Sequence, residues 1–254
     1  MPSGRGPSAP VNFPFRMSLL SLGPLVRLVL FDLDGTLLWT DGAGRRAIHR
    51  ALFEVLGTAG PIDRFRFDGR TDGEIVGKLA EGAGLAPHTA LVDRVLERYV
   101  VLLEDELARP TQRTTVYPGV VDLLAALERH PRCVMGLLTG NVRPGARLKL
   151  ASGGIDIARF RVGAFGSDSA HRPDLPAVAQ RRAREELGLE LAGEEIVIVG
   201  DTPADVTCGN GIGARAIGVA TGSYRVEELL GAGAFAAFET LAETDAVVRA
   251  CGLS

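Results

Sequence analysis

The stretch Leu28-Val29-Leu30-Phe31-Asp32-Leu33-Asp34-Gly35-Thr36 constrains this chain more than any other. Its apolar run reads as a strand buried on both faces, and it stops abruptly at two carboxylates. Asp32 and Asp34 are one residue apart, so in extended backbone their side chains lean the same way. Gly35 lets the chain turn, and Thr36 brings a hydroxyl beside the pair. Acids at the end of a buried strand are costly unless something compensates them, most simply a hard cation. Solvated acids in a strand-end turn would be the plain alternative.

Downstream of this stretch the texture is helical. Ala47, Ile48, Ala51, Leu52, Val55 and Leu56 form one apolar stripe, with Gly57 where a helix would be capped. Thr71 and Glu74 read as a capping box for a second helix. A third follows Pro87, with Leu91, Val95, Tyr99, Leu102 and Leu103 on its buried side. No strand is expected between about residues 43 and 108. From Tyr117-Pro118-Gly119 onward, strands and helices alternate, with strands expected at Cys133 to Leu138, Val162 to Phe165, Glu195 to Val199 and Ala214 to Val219.

Such alternation implies an α/β fold, a Rossmann-like parallel sheet with helices on both faces, interrupted by an all-helical insert. In these sheets ligands bind beyond the carboxyl ends of the strands. The polar clusters Asp32/Asp34, Thr139/Asn141, Ser167/Asp168 and Asp201 all fall there, so one shared site is expected. Asp201 and Asp205 add to Asp32 and Asp34, and carboxylates brought so close repel one another without a cation. Thr202, Pro203 and Asp205 also read as an ordinary capped helix start. Mg²⁺ suits an oxygen-only site, and no histidine or cysteine stands at the spacing a softer metal needs. Thr139-Gly140-Asn141 could receive a phosphate oxygen, although on its own a plain turn accounts for it.

Composition narrows the classes. With 23% charged residues and a net charge of −3, the chain carries no electrostatic footprint for nucleic acid. Its three cysteines are odd in number and widely spaced, which points to a reducing cytoplasm. Residues 1–25 are expected to form a disordered extension, too short and broken in its apolar part to span a membrane, with Met17 as an alternative start. The expected domains are a core from 26–40 and 115–254, and a helical insert from 41–114.

These motifs, in this order, resemble the haloacid dehalogenase-like hydrolase superfamily, close to its phosphoglycolate phosphatase-like branch with a helical cap. The resemblance spans roughly residues 27–240. It rests on Asp32, Asp34, Gly35 and Thr36, on Thr139, on Gly200, Asp201 and Asp205, and on the position of the helical insert. It implies that Asp32 is a nucleophile forming an aspartyl-phosphate and that Asp34 is the acid/base. It implies Mg²⁺ held by Asp32, the Asp34 carbonyl and Asp201, with Asp205 in support. Thr139, with Gly35, Thr36, Gly140 and Asn141, would bind the phosphate. The family's lysine before a proline is missing, and Arg172 before Pro173 takes that place. Arg70, in Gly69-Arg70-Thr71-Asp72, resembles the segment that faces substrate, though a solvated arginine before a helix fits equally well. Phosphatase action on a small phosphate monoester is therefore expected, with no nucleic acid or membrane partner. A sugar-phosphate mutase and a non-enzymatic phosphate-binding protein are the alternatives.

Overall fold

The computed structural model describes residues 26–253. The expectations for the N-terminal extension and its alternative start lie outside them. Strand β1 (Arg27–Phe31) is the centre of a parallel sheet. Its alternation decides the layers. Val29 and Phe31 enter one apolar cluster, Leu28 and Leu30 the other, and all four are fully buried. Each such side chain contributes about 1.5–3 kcal/mol on burial, which is why an unbroken apolar run specifies a central strand.

The other core elements follow in chain order: α4 (Val120–Arg129), β4 (Cys133–Thr139), α5 (Arg143–Ser152), β5 (Val162–Phe165), α6 (Leu175–Leu187), β6 (Ile196–Gly200), α7 (Pro203–Cys208), β7 (Arg215–Val219), α8 (Val226–Gly231), β8 (Ala236–Phe238) and α9 (Thr244–Ala250). Sheet order is β5-β4-β1-β6-β7-β8. The first face packs on α4, α5 and α9 through Leu123, Leu124, Leu127, Leu150 and Val247. The opposite face packs on α6 through Leu175, Ala179 and Ala183. The chain leaves β1 toward β4 and β5, then returns to build β6, β7 and β8 on the other side. The order therefore reverses between β1 and β6, and a crevice opens at their carboxyl ends.

Three helices stand between β1 and α4: α1 (Ala43–Leu56), α2 (Asp72–Gly82) and α3 (Thr89–Leu107). They own a separate cluster that includes Ile48, Leu52, Ile75, Leu79, Val95, Tyr99 and Leu102. Gly57 closes α1 in the left-handed region, φ 75°. The expected capping box at Thr71 is half formed. Thr71 Oγ1 accepts from the Glu74 backbone N–H at 3.1 Å, but the Glu74 carboxylate turns outward to Arg70.

An antiparallel ribbon was not foreseen. Leu38–Trp39 (β2) pairs with Thr115–Val116 (β3), joining entry to and exit from the helical module. Strands of two residues leave no alternation to read. Among the described residues, no helix is long and apolar enough to cross a membrane.

Candidate active site

Asp32 and Asp34 face one cleft but keep different company. Asp32 leaves β1 with its backbone N–H on Val199 O at 2.9 Å, which sets it level with the end of β6. There Asp201 and Asp205 follow Gly200, and Asp32, Asp201 and Asp205 each present an oxygen within 4.8 Å of the others. All three are buried. Asp201 Oδ1 accepts the Thr36 hydroxyl at 2.9 Å. Its carboxylate is gripped by backbone: a Cβ at Gly35 would lie 2.3 Å, and one at Gly222 1.9 Å, from Asp201 Oδ2. Gly35 also has φ 87°, so both space and conformation demand glycine.

Arg172, 5% exposed, is the cation of this half. Its Nη2 stands 3.2 Å from Asp32 Oδ1 and bonds Asp205 Oδ1. Asp205 Oδ2 accepts from the Thr202 N–H at 3.0 Å and hydroxyl at 2.6 Å, so both Asp205 oxygens are occupied. One arginine does not balance three buried acids. Burial, against the pull of Arg172, pushes the Asp32 carboxyl up to about 7. Burial and the neighbouring Asp205 and Asp32 push Asp201 well above the usual carboxylate range. An all-oxygen cluster short of positive charge fits a hard divalent cation.

Asp34 belongs to the other half. Its Oδ2 accepts from Asn141 Nδ2 at 2.8 Å and from Lys149 Nζ at 2.6 Å. Asn141 Nδ2 also donates to Thr139 Oγ1 at 2.9 Å, which leaves the buried threonine its own proton to give. Lys149 was not anticipated from the sequence. It rises from α5 and is 5% exposed, beside fully buried Ala146 and Leu150. A lysine on the buried face of a helix was the signal that could have found it, since such a cation requires an acid.

The helical module closes the cleft from above. Asp72 N–H donates to Gly140 O at 2.8 Å, and Asp72 Oδ2 accepts the Val142 N–H at 2.9 Å. The Thr71 hydroxyl donates to Ala170 O at 2.7 Å. A Cβ at Gly140 would lie 2.1 Å from Arg70 O, so this glycine permits the contact. Burial raises the Asp72 carboxyl to about 6 despite nearby Lys149. Tyr99 is fully buried, and its hydroxyl has no partner among the described residues. The cleft measures about 350 Å³ and is bordered by Trp39, Arg45, Phe67, Tyr99 and Lys149 as well as the acids.

Arg70 borders the cleft, paired with Glu74 and 5.2 Å above the Phe65 ring. Asp168 and Ser167 do not join the site, contrary to expectation. Arg182 of α6 takes both Asp168 oxygens, at 2.6 and 2.7 Å, and Ser167 Oγ accepts the Arg143 N–H at 3.3 Å. A cation on the next helix was available to Asp168, so this strand-end acid is structural.

A carboxylate cluster at the switch point of a parallel sheet, roofed by helices, defines an α/β enzyme. The sequence model of the haloacid dehalogenase-like hydrolases matches residues 29–210. The chain belongs to that family, within its phosphoglycolate phosphatase-like branch, and is an enzyme, which sets aside the purely phosphate-binding alternative. It is 28% identical over 203 residues to the phosphoglycolate phosphatase of Pseudomonas putida, covering 79% of this chain and 71% of that protein. Its fold matches a hydrolase from Pseudomonas syringae with a TM-score of 0.68 at 22% identity, over 88% of this chain and 98% of the other. It also matches CbbY from Rhodobacter sphaeroides, solved with phosphate, with a TM-score of 0.66 at 23% identity, over 86% and 96%.

Proposed function

We propose that the chain is a Mg²⁺-dependent phosphatase of a small phosphate monoester, phosphoglycolate- or sugar-phosphate-like. The observation that carries this reading is the division of the cleft: Asp32 sits in a buried carboxylate cluster, while Asp34 is held apart by its own donors. A nucleophile and an acid/base must differ in environment in this way.

Asp32 attacks phosphorus, the ester oxygen departs with a proton from Asp34, and an aspartyl-phosphate remains. Asp34 then takes a proton from water, whose oxygen attacks phosphorus and releases inorganic phosphate. Arg172 and Thr139 line the same cleft and would receive the transferring oxygens. Mg²⁺ would be held by Asp32, Asp201 and the Asp34 carbonyl, with Asp205 fixing Arg172. When bound, it supplies the positive charge that keeps Asp32 ionised and offsets the phosphoryl group. A cavity near 350 Å³ favours a small substrate, and the similarity to a phosphoglycolate phosphatase supports that class. Three free thiols fit a cytoplasmic enzyme.

A panel of phosphoglycolate, sugar phosphates and nucleotides, assayed with Mg²⁺ and with EDTA, tests the reading. Hydrolysis should require Mg²⁺, and turnover indifferent to chelation would refute the metal assignment. Rearrangement of a sugar phosphate that depends on its bisphosphate, with slow hydrolysis, would move the chain to the mutases.

A further inference from the structure

Lys149 does not belong to the carboxylate cluster, yet it is one of the most completely buried cations in the molecule. Its side chain is 6% exposed, and its ammonium bonds only Asp34 among the described residues, with the Asp72 carboxyl close enough to feel its charge. Asn141 Nδ2 reaches the same oxygen. Oδ2 of Asp34 is therefore held by two donors, whereas no described residue donates to Oδ1.

Helix α1 makes room for this arrangement. Gly44 lies in its first turn, and a Cβ there would be 3.2 Å from Lys149 Nζ and 3.8 Å from the Tyr99 hydroxyl. Gly44 has no positive φ, so space and not backbone conformation is what its missing side chain provides.

We propose that Lys149 is a positioning residue for Asp34. Together with Asn141 it pins Oδ2 and leaves Oδ1 as the single oxygen that meets the ester oxygen. The inference rests on the phosphatase reading given above. A proton donor acts only within hydrogen-bond reach of the leaving atom, and a carboxylate free to rotate would spend much of its time out of line. Anchoring one oxygen removes that freedom before substrate arrives.

The experiment compares an alkyl phosphate, which needs its leaving oxygen protonated, with 4-nitrophenyl phosphate, which does not. Its readout is kcat/KM, because that ratio reports the step in which the ester bond breaks. Lys149→Met should lower kcat/KM about 100-fold on the alkyl ester and less than about 10-fold on the nitrophenyl ester. In an Asp34→Asn background the same substitution should cost less than about 2-fold, because the residue acts through Asp34. Equal loss on both esters, or full additional loss in the Asp34→Asn background, would overturn the proposal.

Gly44→Ala provides the second arm should Lys149→Met not fold. Its methyl displaces the ammonium without removing it, and alanine is the better helix former. A loss of about 3- to 10-fold confined to the alkyl ester, with an unchanged or higher Tm, supports the positioning role. No change, or equal loss on both esters, overturns it. A wild-type enzyme that hydrolyses neither ester removes the phosphatase reading and the proposal with it, a result distinct from an active enzyme indifferent to these substitutions.

Discussion

On the sheet side of the cleft, Asp32 shares a buried pocket with Asp201, Asp205 and the Arg172 guanidinium. On the helix side, Asp34 is 31% exposed at its side chain and bonded to Lys149 and Asn141. Two acids separated by one residue thus have separate cations, reached from different helical elements. The sheet side is short of positive charge, so burial lifts Asp32 toward neutrality. The helix side sets Lys149 against Asp34 and Asp72, and is short of one positive charge rather than two. On the proposed reading, that contrast suits a nucleophile that needs a metal and an acid/base that does not.

Replacing the two aspartates tests the contrast most severely. Asp32→Asn should lower turnover by about 10⁴-fold or more on every ester while the protein remains folded. Asp34→Asn should lower kcat/KM about 10²- to 10⁴-fold on alkyl esters and much less on 4-nitrophenyl phosphate, while kcat falls on both because the same residue activates water. Steady-state kinetics on both substrates, with circular dichroism as the fold check, separates these outcomes. Substantial activity in a folded Asp32→Asn sample would sink the assignment of the nucleophile.

Two of the arginines that border the cleft differ in the same spirit. Arg172 is buried between Asp32 and Asp205, whereas Arg70 is 40% exposed at its side chain and pairs with Glu74. Arg172→Ala should reduce kcat/KM on an aryl phosphate by about 10²- to 10³-fold. Without metal it should also destabilise the fold by about 3 kcal/mol, since two buried acids lose their cation. Arg70→Ala should cost less than about 3-fold, an exposed ion pair contributing little. The reverse order of activities would show that Arg172 is not the residue that faces the phosphate.

How far the sequence could be read follows the same division. The sheet side was legible because Asp32 and Asp201 each follow a strand, and Asp205 stands in the capped helix start just after the second. Apolar runs mark β1 and β6, and the parallel alternation brings Asp32 and Asp201 to one edge. Arg172 was placed through Pro173 and the resemblance to a known motif, not through any periodicity. The helix side was obscure for a physical reason. Lys149 projects from a helix face whose apolar neighbours Ala146 and Leu150 hint that it is inside, but its meeting with Asp34 follows only from the packing of α5 beneath the helical module. Asp168 misled in the opposite way. It ends a strand like the others, but Arg182 on α6 takes it out of the cleft.

Asp72 offers the finest probe of the balance on the helix side. Its carboxyl is raised from an ordinary 3.8 to about 6, first by burial and then by Asp34, with Lys149 and the Val142 N–H pulling the other way. The folded state therefore holds this proton more tightly than the unfolded chain does. Its contribution to stability is fully present below pH 4 and is lost as the pH rises to about 6. The loss amounts to at most about 3 kcal/mol. Asp72→Asn keeps an acceptor for the Val142 N–H but has no charge to bury. The variant should melt near the wild-type temperature at pH 4 and above it at pH 7.5, and thermal denaturation at both values measures the difference. A variant that melts lower at pH 7.5 would mean that the attraction of Lys149 outweighs burial. The helix side would then be a lysine clamped between two carboxylates, and Asp72 would share with Asp34 the work of holding it.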